Sequence, residues 1–151
     1  MATVVLGVGM TAIMGALRSG TQVNACASDM SQAVLLAQEL RECIGQLPFS
    51  DPDLEQAENP PGLDEGSIGS ADDMDDYNHQ TFSPPVSSMG DSLTNMAQWS
   101  QTVDITWKSD NNIAAAVSDG TSDTAYVKVT IRHNGEVVLT TGWIVSRQPI
   151  N

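Results

Sequence analysis

VVLGVGMTAIMGAL, Val4 to Leu17, and DMSQAVLLAQELRECIGQ, Asp29 to Gln46, decide the reading of this chain. The first stretch is almost purely apolar. In the second, Val34, Leu35, Ala37, Leu40, Cys43 and Ile44, with Leu47 just beyond, recur at spacings of three and four, so one stripe of a helix is expected to face a core. Glu39, Arg41, Glu42 and Gln46 suit the wet flank. Asp29 or Ser31 could cap a fresh helix or sit on one long one, and Gly45 followed by Pro48 gives a stop.

The apolar run is shorter than the roughly 20 residues of an ordinary spanning helix. No basic leader precedes it, so it makes a poor signal peptide. Three readings remain: the surviving part of a longer hydrophobic helix, a buried helix of a soluble domain, or an unusual signal sequence. Gly7, Gly9, Gly15 and Gly20 weaken a helix in water but are tolerated where apolar helices pack closely. Arg18 marks an exit from the apolar environment.

Residues 48–98 read as an irregular acidic region holding most of the prolines. A featureless insert of that length is uncommon in a compact domain. Phe49, Tyr77 and Trp99 are the candidate anchors that hold it, with Phe82 beside them. Residues 99–147 read as sheet. TVDITWK (102–108) alternates, with Val103, Ile105 and Trp107 on one face. Ile113–Val117 is a short strand and TAYVKVTIRH (124–133) alternates again. Asn134-Gly135 is a hairpin signal, and EVVLTTGWIV (136–145) returns antiparallel. Tyr126 or Val127 could switch face across an irregularity, so the exact register is left open.

The expected fold is α+β: a long N-terminal helix on an antiparallel sheet of three to four strands, with a long acidic loop. Residues 2–24 form a hydrophobic stalk and 25–151 a head, divided into helix 25–47, irregular region 48–98 and sheet 99–147. The helix stripe must cover one sheet face, because neither element can bury itself. Leu36, Leu40, Ile44, Trp107 and Trp143 are the expected helix-to-sheet core.

Charge and chemistry exclude much. Nineteen acidic residues stand against six basic ones. No basic groove exists to offset phosphate repulsion, so nucleic acid is not an expected partner. Cys26 and Cys43 on one helix lie about 25 Å apart, beyond disulfide reach, and read as buried small hydrophobes. Asp72, Asp73, Asp75 and Asp76 are the candidate metal ligands. Clustered carboxylates on a loop suit Ca²⁺, with Asp51, Asp53 and Glu55 able to approach, although no EF-hand spacing is present. Solvated carboxylates or turn caps explain the same cluster. His79 is a lesser metal candidate, and His133 beside the turn is expected to be exposed. Aspartates clustered on one loop do not make a glycosidase-like carboxylate pair, no nucleophile with a base is legible, and Trp107 and Trp143 lie within strand patterns as packing residues rather than a sugar platform. No catalytic residue, no small-molecule substrate and no cofactor beyond candidate Ca²⁺ are expected, and the chain is not expected to be an enzyme.

The order of parts resembles the type IV pilin-like proteins, in particular minor pseudopilins of type II secretion. AVLLAQELRECIGQLPFSDPD (33–53) is the sharpest match, similar to a helix end and Leu-Pro-Phe-x-Asp loop in prepilin-type proteins of planctomycete-like bacteria. DDMDDY (72–77), SPP (83–85) and VKVTIRHNGEVVLTTGWIV (127–145) are similar too. The resemblance covers nearly the whole chain. It departs at the start: the basic leader, the glycine before the cleavage point and the glutamate at mature position five have no counterpart.

The resemblance implies a structural subunit of a pilus-like or pseudopilus filament, acting in assembly or at the tip. Val4, Val5, Leu6, Val8, Ile13 and Leu17 would form its assembly helix. It implies other pilin or pseudopilin subunits and an inner-membrane assembly platform as partners, and contact with the membrane through the helix. The head would lie in the periplasm or within an assembled filament. The competing expectation is a soluble periplasmic or cell-surface protein-binding domain with no filament role.

Overall fold

In a computed structural model, residues 2–51, 61–63 and 67–147 are described, with only the backbone of residues 2–13, 15 and 16. One helix, α1, runs Ala2–Ile44. No proline interrupts it before Pro48, and its second half is rich in Ala, Leu, Gln and Glu, strong helix formers. No fresh helix begins at Asp29 or Ser31. The Ser31 hydroxyl instead donates to the Ala27 carbonyl at 2.9 Å, so the helix carries its own polar side chain through. At the C-terminal end, the Gly45, Gln46 and Leu47 amides fold back onto the carbonyls of Arg41, Cys43 and Ile44. Pro48 then removes the next donor.

The chain divides into two compact units, Met1–Gln32 and Ala33–Asn151. The first is α1 alone. Met14, Leu17 and Val23 are exposed on it.

The second unit joins the last turns of α1 to an antiparallel sheet. Its strands are β1 (Thr81–Phe82), β2 (Trp99–Ser109), β3 (Asn112–Ala116), β4 (Thr124–His133) and β5 (Glu136–Ser146). The order is β1-β2-β4-β5, with β3 paired to the far end of β2. Trp99, Gln101, Val103, Ile105 and Trp107 of β2 turn inward, as do Ala125, Val127, Val129 and Ile131 of β4. Directly opposed pairs such as Val103–Val129 and Ile105–Val127 share that face. The β4–β5 turn has φ 52° at Asn134 and 85° at Gly135. Both are left-handed, as an Asn-Gly hairpin requires.

Against this face, α1 buries Ala33, Leu36, Ala37, Leu40, Cys43 and Ile44. Of the expected stripe, Ala37, Leu40, Cys43 and Ile44 are covered, but Val34 and Leu35 are exposed at 48% and 57%. Four consecutive apolar residues, Val34–Ala37, span more than one helix face, and only the arc nearest β2 and β4 is covered. The register left open at Tyr126 and Val127 is settled without a switch of face. Alternation runs straight through, and the irregularities lie at Ile131/Arg132 and Lys108/Ser109. The architecture is α+β and pilin-like: a long N-terminal helix with an antiparallel sheet packed on its C-terminal part.

One expectation is overturned. Among the described residues no helix is long and apolar enough to cross a membrane. Leu17 is followed by Arg18, Ser19, Thr21, Gln22 and Asn24, polar residues that close the apolar run Val4–Leu17. Membrane contact through the N-terminal helix, the inner-membrane platform as a partner and inner-membrane placement therefore fall.

Candidate functional site

One polar construction of the second unit is centred on Gln101, which is fully buried on the inward face of β2. Its amide nitrogen donates to the Leu36 carbonyl at 2.8 Å and to the Val86 carbonyl at 3.2 Å. Its amide oxygen accepts the Val86 N–H at 2.7 Å. One side chain thus ties helix, sheet and the 83–93 loop together. Every polar atom of it has a partner, the condition for burying an amide without loss. Gln101 was not among the expected core residues. The signal was present: alternation through Val103, Ile105 and Trp107 extends back to Gln101 and Trp99.

A second strap fastens the same loop. Glu39 accepts the Ser88 N–H at 2.6 Å, and Gln46 donates to the Ser88 carbonyl at 3.1 Å.

The acidic cluster is folded on itself. Asp73 Oδ1 accepts the N–H groups of Asp75 at 2.8 Å and Asp76 at 3.3 Å. Asp76 Oδ2 accepts those of Asp72 at 3.0 Å and Asp73 at 3.4 Å. The two carboxylates cap each other's turn reciprocally, as Asp side chains do in tight turns. Asp73, Asp75 and Asp76 are all buried. Burial pushes the Asp73 carboxyl above its ordinary value, with the Asp76 charge adding to it, against hydrogen bonds that pull it down. Among the described residues no group of three or more His, Cys, Asp or Glu is placed to hold a metal ion. Asp53 and Glu55 lie outside the described residues, and Asp51 is half-buried.

This turn seats apolar anchors. Met74 is buried between the acidic residues, and its N–H donates to the Pro48 carbonyl at 3.0 Å. Tyr77 is buried with its hydroxyl 3.3 Å from Cys43 Sγ, and its ring tilts against Phe82 at 5.8 Å. Burial raises the Tyr77 hydroxyl well above its usual value, and Cys43 adds to the effect. Beyond it, Asn78 Oδ1 accepts the Ile105 N–H at 2.8 Å, and the Gln80 carbonyl accepts the Val103 N–H at 2.9 Å. Side chain and backbone together close the β2 edge where β1 is too short to reach.

The remaining expected residues separate into core and surface. Leu36, Leu40, Ile44 and Trp107 are buried, whereas Trp143 is half-buried under the Arg41 guanidinium at 5.5 Å. Phe49 is half-buried with the Arg147 guanidinium 5.5 Å from its ring centre. Trp99 is buried and stacks on His133 at 4.3 Å, so His133 is half-buried where exposure was expected. His79 is exposed and lies 3.4 Å from Asp104, which also takes Lys128 Nζ at 2.9 Å. Lys128 holds the Asp104 carboxyl below its ordinary value, with His79 contributing. Cys43 is buried and free, but Cys26 is free and exposed, contrary to the expectation for both. Of the expected assembly helix, Leu17 is exposed, and the side chains of Val4, Val5, Leu6, Val8 and Ile13 lie outside the described residues.

Comparison with protein-family models, curated proteins and solved structures gives no match to this chain. The functional reading therefore rests on its own geometry. The buried side chains of Asp73, Asp76, Asn78 and Gln101 are spent on backbone partners, an arrangement that fixes a shape.

Proposed function

We propose that the chain is a structural subunit of a type IV pilus-like or type II secretion pseudopilus filament, a minor pseudopilin acting in assembly or at the tip. One observation carries this reading. A single 43-residue helix continues from apolar residues into a segment buried by a small sheet, and it keeps Met14, Leu17 and Val23 exposed. Such a helix gains stability by packing against other helices, and its Gly and Ala residues permit close approach. The head then needs no catalytic group, and we propose that it acts without catalysis. Its task is to present a rigid surface, which the Gln101 and Asp73–Asp76 clamps serve.

The test is to shear and pellet filaments from the native cells and probe them for the full-length protein. The reading expects it in the filament fraction and expects loss of incorporation in Leu17→Asp and Val23→Asp with the head still folded. Filaments that lack the protein would end the proposal.

A further inference from the structure

The two edges of the sheet are treated differently. The β2 edge is closed by β1, Asn78 and Gln80. Strand β5 is paired to β4 on one side, and among the described residues nothing pairs with its other side. It is eleven residues long and carries no charge between Glu136 and Arg147, in a chain of net charge −13. A long, uncharged edge is a template for another strand.

We propose that this edge docks the β5 strand of a second copy, antiparallel about a two-fold axis at Thr141. The proposal stands on the strand edge and does not depend on the filament reading.

The hydropathy of the strand is symmetric about that residue. Val137, Val138 and Leu139 precede Thr140-Thr141-Gly142, and Trp143, Ile144 and Val145 follow. Antiparallel self-pairing centred on Thr141 therefore sets Leu139 of each copy opposite the Trp143 position of the other, within the stretch of β5 that pairs regularly with β4; the register shift at Val138 takes Val137 out of that alternation. It also brings the Glu136 end of one copy to the Arg147 end of the other, so opposite charges meet at both ends of the seam. The rest of an acidic chain repels a second copy, and this neutral strand does not.

Backbone direction agrees. The Arg147 N–H donates to the Asp123 carbonyl at 2.8 Å. By alternation, residues 145, 143, 141 and 139 also turn toward β4, and Thr140, Gly142, Ile144 and Ser146 turn their N–H and C=O groups outward. With Thr141 on the axis, outward Thr140 meets outward Gly142 in a hydrogen-bonded pair. The two Thr141 residues form a non-hydrogen-bonded pair with Cα atoms about 4.5 Å apart.

Side chains agree as well. Leu139, Thr141 and Trp143 share the helix-facing side of β5, opposite Ile131, Val129 and Val127. Because α1 covers β2 and β4, this side remains a groove of about 550 Å³ between Val34, Ala37 and Arg41 of the helix and Leu139 and Trp143. The partner's Leu139 would enter beside Trp143 and complete its burial. An isologous seam of this kind closes as a dimer.

The experiment uses the full chain with Cys26→Ser, which removes the exposed thiol. Sedimentation over a concentration series should show a monomer–dimer equilibrium. Under mild oxidation Thr141→Cys should cross-link, while Thr140→Cys should not, because its counterpart lies two residues off register and beyond disulfide reach. Ile144→Lys and Thr140→Pro should weaken the dimer by about tenfold or more, with circular dichroism unchanged and melting unchanged at concentrations where the chain is monomeric. Thr140 turns its N–H outward, so proline there removes no bond to β4. A chain that stays monomeric throughout, an assembly that survives both edge variants, or cross-linking as ready at 140 as at 141 would each overturn the proposal.

Discussion

Gln101 and Leu36 are joined across the core: the amide of a β2 side chain donates to a main-chain carbonyl in the C-terminal part of α1 at 2.8 Å. The same amide brackets Val86 through both its N–H and its C=O. The helix, the sheet and the loop between them are thus registered by one residue. Gln101→Leu keeps the volume and strands the Val86 N–H in an apolar interior. The expected loss is about 1–3 kcal/mol for that group, read as a lower urea midpoint with an unchanged slope. Hydrogen exchange at the Val86 amide should accelerate more than at Val129.

The reciprocal Asp73–Asp76 turn gives a pH prediction with a definite sign. Because the Asp73 carboxyl is raised in the folded state, the fold binds its proton more readily than the unfolded chain does. Its contribution favours folding fully below the ordinary carboxyl value and is lost as pH rises through the folded value. Asp73→Asn keeps the acceptor for the Asp75 and Asp76 amides and removes the buried charge. Stability at neutral pH should rise or hold, and the pH dependence just above the ordinary carboxyl range should flatten. Asp76→Ala, which removes the acceptor for Asp72 and Asp73, should instead destabilise by about 1–3 kcal/mol. Urea titrations across mildly acidic to neutral pH check both.

Asp104 acts in the opposite direction. Lys128, its directly opposed cross-strand partner, lowers its carboxyl, so the stabilisation is present above the ordinary value and is lost as pH falls toward the folded one. The pair is surface-exposed, and its worth is about 0–1 kcal/mol. Asp104→Asn should reduce the acid-side loss of stability and its salt dependence, measured by melting at low pH in low and high salt.

Gly142 is required by its neighbour. A Cβ there would meet the hydroxyl and ring of Tyr126 and would sit 2.6 Å from the Val127 carbonyl oxygen. Gly142→Ala should cost about 1–3 kcal/mol through overpacking. Tyr126→Ala in the same chain should recover part of that cost, because the ring contact goes and the backbone contact stays. A double-mutant cycle measures the coupling.

Much of the fold was legible in the chain. The three-four spacing through Leu40, Cys43 and Ile44 marked a helix, and the alternation through Val103, Ile105 and Trp107 marked β2. Asn134-Gly135 marked the hairpin. These are local signals, set by backbone period and by tolerance of positive φ. The face of α1 was less legible, since Val34, Leu35, Leu36 and Ala37 are apolar alike and only contact with β2 and β4 chooses Leu36 and Ala37. The acidic segment was ambiguous for a related reason. DDMDDY reads equally as a cation loop or a capped turn, and the choice lies in which backbone amides the carboxylates meet.

The sequence by itself determined the period of each element, the antiparallel hairpin and the preponderance of acidic charge, because those depend on residues close along the chain. Only the tertiary structure decided that Gln101 would be the buried fastening between Leu36 and Val86, residues 65 and 15 positions away. It also decided that Asp73 and Asp76 would spend their oxygens on each other's turn, and that, among the described residues, β5 would pair on one side only while Asn78 and Gln80 close β2. Hydrogen-bond partners distant along the chain and the covering of a sheet edge exist only once the chain has packed, so no local pattern can specify them.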